Sequence, residues 1–275
     1  MRMLTRFLFV VFLSMRLAAC KKNAPLTTAD YNFIVETQPP VLKAVTLQIN
    51  TVIGGYYAGL PYYYNQTSKR YPLLIFLPGG GQTGNGKIDL PLLLNDGVAQ
   101  LISDKKFPAN FSVDGKNYSF INLTPQFSRY PLDSEVEEFI QFAKKTYRVD
   151  TTRIYLSGLS MGGTLSANLG GEYTSELAAI VPMSGVSTGG DLKLKCGNIA
   201  AGKLAVWVFH NNSDPLISAE DPTRFVSTIN TFHPAIVPKL TLFDNVTHDA
   251  WTKALDPKYK ENGMNMYEWM LHFSR

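Results

Sequence analysis

Short runs of consecutive apolar residues, closed by glycine, proline or asparagine, alternate along this chain with longer stretches of helical periodicity. Leu73 to Leu77 (LLIFL) stands between Pro72 and Pro78-Gly79-Gly80-Gly81, and Tyr118 to Leu123 (YSFINL) ends at Thr124-Pro125-Gln126. Leu177 to Met183 (LAAIVPM), Leu204 to His210 (LAVWVFH) and Lys239 to Phe243 (KLTLF) follow. Runs of this length without polar alternation fit strands covered on both faces, as the strands of a parallel sheet are. Val41 to Asn50 and Tyr56 to Tyr64 are also rich in β-formers and are separated by Gly54-Gly55, which predicts a strand pair. Pro61 inside the second run favours the edge of the sheet.

Helical spacing fills the gaps. Ile88 to Ile102 predicts a helix with Pro91 in or before its first turn. Ser134 and Glu137 have capping-box spacing, and Val136, Phe139, Ile140, Ala143 and Tyr147 then recur on one face, leaving Glu135, Glu138, Lys144 and Lys145 for water. Further helices are expected near Glu220 to Asn230 and Met264 to Phe273. Strands alternating with helices define an α/β class, with a mainly parallel central sheet flanked by helices on both faces. Ligands bind at the carboxyl ends of such strands, where Pro78, Gln126, Ser160, Ser184, His210 and the residues after Phe243 fall.

One of these strand ends carries a chemical signature. The β-rich run from Arg153 leads into Gly158-x-Ser160-x-Gly162, and Met161 to Leu169 (MGGTLSANL) then reads as a helix start. Strand, sharp turn and helix are what a nucleophile elbow requires, with Ser160 lifted clear of the sheet. A serine hydroxyl needs a base, usually a histidine oriented by a carboxylate. Of the four histidines, His272 falls in the terminal helix and His233 in a proline-containing loop, leaving His210 and His248 at strand ends. His248 follows the last strand, where the base falls when the order is serine, acid, histidine. Asp214, in His210-Asn211-Asn212-Ser213-Asp214-Pro215, is the expected acid; Asp191 and Asp244 are its rivals. His210 is expected to shape the acid loop. Oxyanion donors are expected from the amide of Met161 and from Gly80, with Gly81 the alternative, in the loop after Leu77. Gln126 and Trp251 are expected near the site, lining a substrate cleft or packing in the core.

The same loop also contains Gly81 to Lys87 (GQTGNGK), which fits seven positions of a phosphate-binding loop. The eighth is Ile88, where a magnesium-binding Ser or Thr belongs, so no nucleotide site is expected. No two histidines share helical spacing and the cysteines stand apart, so no metal or other cofactor is expected.

Composition adds bounds. The chain has 275 residues, 45% of them hydrophobic, enough for one large domain over residues 41–275. Arg2 and Arg6 precede a nine-residue apolar run, Phe7 to Met15, which is too short to span a bilayer and suits a cleaved signal over residues 1–19. Without Arg2, Arg6 and Arg16 the formal charge of +4 falls to about +1, which does not favour a nucleic-acid partner. Residues 20–40, ending in Pro39-Pro40, are expected as a tether. Only Cys20 and Cys196 could form a disulfide.

Leu17-Ala18-Ala19-Cys20 resembles the lipobox of bacterial lipoproteins. That resemblance implies cleavage before Cys20, acyl chains on it, and an exported protein held to a membrane, periplasmic or at the cell surface. Cys196 is then left as an unpaired, buried apolar residue. The alternative is an ordinary cleaved signal with Cys20 a free thiol.

The folded part resembles the α/β-hydrolase esterases: feruloyl and acetylxylan esterases of carbohydrate esterase family one, polyhydroxybutyrate depolymerases and small predicted peptidases. The resemblance rests on Tyr71-Pro72 through Leu77 before a glycine-rich loop, Thr124-Pro125-Gln126, Val149-Asp150 through Gly163, Val206 through His210, His248-Asp249-Ala250-Trp251 and Tyr267-Glu268-Trp269. It implies Ser160 as nucleophile, Asp214 as acid and His248 as base. Relatives usually have His-Gly where this chain has Pro78-Gly79 and His210-Asn211. The expectation is a cofactor-free serine carboxylesterase acting on small esters or esterified polysaccharide, acetyl or feruloyl groups being the analogy. A peptidase with the same triad and a non-catalytic glycan-binding protein are the alternatives.

Overall fold

Alternate residues of a strand point to opposite sides of its sheet, and here both sides are apolar. The computed structural model describes residues 34–186 and 190–275. The expected signal segment, Cys20 and the tether up to residue 33 lie outside them. In chain order the elements are β1 (Val41–Thr46), β2 (Ile53–Leu60), β3 (Tyr71–Leu77), α1 (Val98–Ser103), β4 (Phe111–Val113), β5 (Lys116–Tyr118), β6 (Ile121–Phe127) and α2 (Asp133–Thr146). These are followed by β7 (Val149–Leu159), α3 (Met161–Glu172), β8 (Ala179–Met183), α4 (Leu192–Ala201), β9 (Ala205–Asn211), α5 (Glu220–Asn230), β10 (Lys239–Phe243), α6 (Trp251–Leu255) and α7 (Met266–Leu271).

Eight strands form one sheet in the order β1-β2-β6-β3-β7-β8-β9-β10, and β4 and β5 form a separate hairpin. β2 pairs antiparallel with β1 and β6, while β6, β3, β7, β8, β9 and β10 run parallel. On β3, Leu73, Ile75 and Leu77 enter the layer that includes Val136, Phe139 and Ile140 of α2, Leu165 of α3, Ile199 of α4 and Phe225 of α5. Leu74 and Phe76 enter the opposite layer with Val98 of α1, Ala254 of α6 and Tyr267 of α7. Val206 and Val208 against Trp207 and Phe209 repeat the same division on β9. Burial on both faces is why these strands show no polar alternation in the sequence.

Several local expectations are displaced. The helix predicted from Ile88 to Ile102 is a 3-10 turn, Leu90–Leu94, followed by the short α1, because Gly97 takes φ 93° between them. Gly54 and Gly55 lie inside β2, and Pro125 lies inside β6. The cap of α2 is two residues earlier than the Ser134–Glu137 spacing suggested: Glu135 accepts the Leu132 amide at 2.8 Å. Glu135 is therefore buried, not turned to water. The Arg129 guanidinium, forked over both of its oxygens at 2.6 and 3.0 Å, holds its carboxyl below the usual glutamate range. The terminal helix is confined to Met266–Leu271, and α4 and α6 were not anticipated.

The folded body begins before residue 41. Lys69 Nζ donates to the Ile34 carbonyl at 2.8 Å, the Tyr63 amide to Glu36 Oε2 at 3.1 Å and Asn110 Nδ2 to the Glu36 carbonyl at 2.6 Å. Cys196 is fully buried on α4, and desolvation pushes its thiol up to about 12. Among the described residues no helix is long and apolar enough to cross a membrane.

Phe139 is fully buried where α2 meets the sheet, edge-on to Tyr56 at 5.4 Å. Phe139→Ala is expected to cost about 3 to 4 kcal/mol in urea-induced unfolding. A loss below about 1 kcal/mol would show that this helix face contributes little to holding the sheet.

Candidate active site

β7 and α3 meet at a single residue. Ser160 takes φ 51° and ψ −114°, a conformation that L-residues other than glycine rarely adopt. Its amide donates to the Met183 carbonyl at 2.8 Å and its carbonyl accepts from the Thr164 amide at 3.0 Å, so the corner is fixed on both sides. The flanking glycines are required by close backbone approach. A Cβ on Gly158 would stand 2.5 Å from the Gly162 carbonyl carbon, and one on Gly162 would stand 2.0 Å from the Leu77 carbonyl oxygen.

Three of the expected residues converge at this corner. Ser160 Oγ is 2.9 Å from His248 Nε2, and His248 Nδ1 is 2.7 Å from Asp214 Oδ2. A carboxylate can only accept, so Nδ1 carries the proton and Nε2 is left to accept from the serine hydroxyl. Along the chain Ser160 follows β7, Asp214 follows β9 and His248 follows β10. Asp191 instead precedes α4 and Asp244 follows β10, and neither is bonded to His248.

The Asp214 side chain is wholly buried, and burial by itself would raise its pKa. The Leu216 and Ile217 amides, donating to Oδ1 at 2.8 and 3.2 Å, and His248 on Oδ2 outweigh that effect and hold the carboxyl below the usual aspartate range. His210 is buried beneath the same loop. Its Nε2–H donates to the Ile217 carbonyl at 3.0 Å and lies 3.4 Å from Asp214 Oδ2, so it braces the acid loop as expected. Asn211 Nδ2 donates to the Thr247 carbonyl at 2.8 Å and joins the acid loop to the base loop. His233 and His272 stand apart from this group, His272 lying 3.5 Å from Asp114.

Met161 is the first residue of α3, a position whose amide has no acceptor within the helix. Across from it, the loop after β3 closes in a 3-10 turn, Gly80–Gln82. The Gly79 amide is engaged by Gln82 Oε1 at 3.0 Å, which leaves the Gly80 and Gly81 amides as the loop's candidate oxyanion donors. Sequence reasoning missed Gln82, whose Nε2 also donates to the Leu92 and Asp96 carbonyls at 3.3 and 3.2 Å.

Gln126 does not line a cleft. It is fully buried, its Nε2 donates to the Gln82 and Asp89 carbonyls at 3.0 and 2.7 Å, and its Oε1 accepts the Gly86 amide at 2.8 Å. It therefore organises the loop after β3 from within. The stretch resembling a phosphate loop has its amides turned inward: Gln82, Thr83, Gly84, Asn85, Gly86 and Lys87 all donate to protein acceptors. Trp251 does border the site, its ring edge-on to His248 at a centroid distance of 5.4 Å.

No family model matches the chain. A curated protein, the bifunctional acetylxylan esterase/xylanase XynS20E of Neocallimastix patriciarum, is 29% identical over 99 residues, which is 36% of this chain and 14% of that protein. Among solved structures, a thermostable esterase matches with a TM-score of 0.58 at 21% identity, over 86% of this chain and 63% of that one. The feruloyl esterase module from Clostridium thermocellum gives 0.53 at 17% identity, over 83% and 87% of the two chains. FphF, a fluorophosphonate-binding serine hydrolase of Staphylococcus aureus, gives 0.56 at 14% identity, over 79% and 96%. The mainly parallel sheet, its helices on both faces and these likenesses define an α/β-hydrolase fold.

Two outcomes follow from this geometry. Gly162→Ala is expected to lose about 2 to 3 kcal/mol of stability, because backbone meets the new methyl and cannot step aside; an unchanged melting temperature would contradict the close approach. The depressed Asp214 carboxyl contributes stability that is complete above the ordinary aspartate pKa of about 3.9 and is lost as pH falls through its lower folded value. Thermal melts of wild type and Asp214→Asn from pH 7 downward should therefore differ by a constant amount until the acid limb, where the gap closes.

Proposed function

We propose that the chain is a serine carboxylesterase working through an acyl-enzyme. The observation that carries this reading is the continuous hydrogen-bonded series from Ser160 Oγ through His248 to the buried Asp214, at the carboxyl ends of parallel strands. His248 Nε2 takes the hydroxyl proton as Ser160 Oγ attacks the ester carbonyl. The tetrahedral oxyanion is met by the Met161 amide, at the positive end of the twelve-residue α3, and by the Gly80 amide. Collapse breaks the bond to the alcohol oxygen, which leaves with the proton from His248. A water molecule repeats the cycle, releasing the acid and restoring Ser160. Asp214 keeps His248 in the tautomer this requires and stabilises the imidazolium that forms.

The substrate class rests on likeness. One similar protein is named as an acetylxylan esterase/xylanase and another as a feruloyl esterase module, so acetyl and feruloyl esters of polysaccharide are the substrates to try first. Cys20 belongs to the same reading as the point of lipid attachment to a membrane. Metabolic labelling with an alkyne fatty acid, lost in Cys20→Ala, is the result expected of it.

A fluorophosphonate probe and a p-nitrophenyl acetate assay test the enzyme. Wild type is expected to be labelled and Ser160→Ala to be silent in both. His248→Ala should lose at least about 10³-fold in kcat/KM, and Asp214→Asn roughly 10³- to 10⁴-fold. A folded wild type that neither labels nor turns over any ester would end this reading.

A further inference from the structure

Trp251 is held from two sides. Its ring stands edge-on to His248, and its Nε1–H donates to Asp96 Oδ1 at 2.9 Å. Asp96 is in turn tied to the oxyanion loop, because its carbonyl accepts from Gln82 Nε2 at 3.2 Å while Gln82 Oε1 accepts the Gly79 amide at 3.0 Å. A bridge of three residues, Trp251, Asp96 and Gln82, thus links the loop expected to hold the oxyanion to the ring expected to move the proton. Trp251 also lines a cleft of about 840 Å³ between α1 and α6. Asp96, Gln100, Leu101, Lys105, Trp251 and Leu255 are among the residues that line it, a mixture of apolar wall and hydrogen-bonding rim.

The chemistry fixes which part of an ester would enter that cleft. His248 must return its proton to the departing alcohol oxygen, so the alcohol side of the substrate lies against the His248 ring. Trp251 is packed on that ring and also lines the cleft. We infer that the cleft between α1 and α6 is the subsite for a bulky alcohol moiety, and that Asp96 is a positioning residue that holds Trp251 as its wall. This rests on the ester-hydrolase reading above.

A cleft this size is far larger than a small alkyl alcohol needs, so the effect of the wall should grow with the alcohol. Three esters separate the cases: ethyl acetate, 1-naphthylmethyl acetate, which adds bulk on the alcohol side, and ethyl 1-naphthylacetate, which adds it on the acyl side. Turnover is followed by pH-stat in wild type, Asp96→Leu, Asp96→Asn and Trp251→Phe, with circular dichroism melts as the folding control. Relative to their effect on ethyl acetate and ethyl 1-naphthylacetate, Asp96→Leu and Trp251→Phe are expected to lose about a further tenfold in kcat/KM on 1-naphthylmethyl acetate, chiefly through KM. Asp96→Asn, whose amide oxygen still accepts from the indole, should recover the selectivity lost in Asp96→Leu.

Equal losses on all three esters, a loss confined to ethyl 1-naphthylacetate, or an Asp96→Asn profile matching Asp96→Leu would each overturn the assignment. If Asp96→Leu does not fold, Trp251→Phe and Asp96→Asn carry the test. These results are distinct from failure of the esterase reading itself, in which wild type would hydrolyse none of the esters and take no fluorophosphonate.

Discussion

The whole arrangement depends on how closely three stretches of backbone meet at the end of β7. Gly158, Gly162 and the Leu77 carbonyl approach to distances that exclude any side chain, and Ser160 is forced into a left-handed conformation between them. Only in that conformation can a residue leave a strand, expose its side chain above the sheet and begin a helix whose first amide faces the same space. The strain is offset by bonds on both sides of the corner, to Met183 and Thr164, and by the burial of two apolar layers that hold β3, β7 and β8 in register. Ser160 is therefore placed by the sheet and not by a loop.

His248 and Asp214 are placed differently. Both sit on connections beyond β9 and β10, and their order comes from hydrogen bonds to main chain: Leu216 and Ile217 to the acid, Asn211 to the base loop, His210 to the acid loop. Asp214 illustrates the balance. Its burial works against ionisation, yet enough donors surround it that the charged form prevails. His210 and Asn211 supply a buried brace and an amide donor that keep the Asp214 loop connected to its neighbours.

Legibility in the sequence follows the range of the interaction involved. The parallel strands were readable because burial on both faces leaves uninterrupted apolar runs, and Ser160, Asp214 and His248 were readable because strand ends and chain order confine them to a few positions. What failed was local detail decided by distant partners. The break between residues 88 and 102 needed Gly97 at positive φ, and the early cap of α2 needed Arg129 on Glu135. Gln126 fell at the right end of the right strand, but nothing in its neighbours shows that its carboxamide turns inward. Gln82 and Asp96 carry no motif, since their contacts cross between loops that are separate in the sequence.

Gln126 has one more consequence. Its three hydrogen bonds reach the Gly86 amide and the Gln82 and Asp89 carbonyls, all of them main-chain atoms. An anchor that recognises only backbone is blind to the side chains it anchors. The outward-facing residues of this loop, such as Lys87 and the exposed Ile88, can drift through mutation while the anchored backbone keeps its path. The fold thus separates the part of the loop whose path must be preserved from the part whose side chains are free to vary.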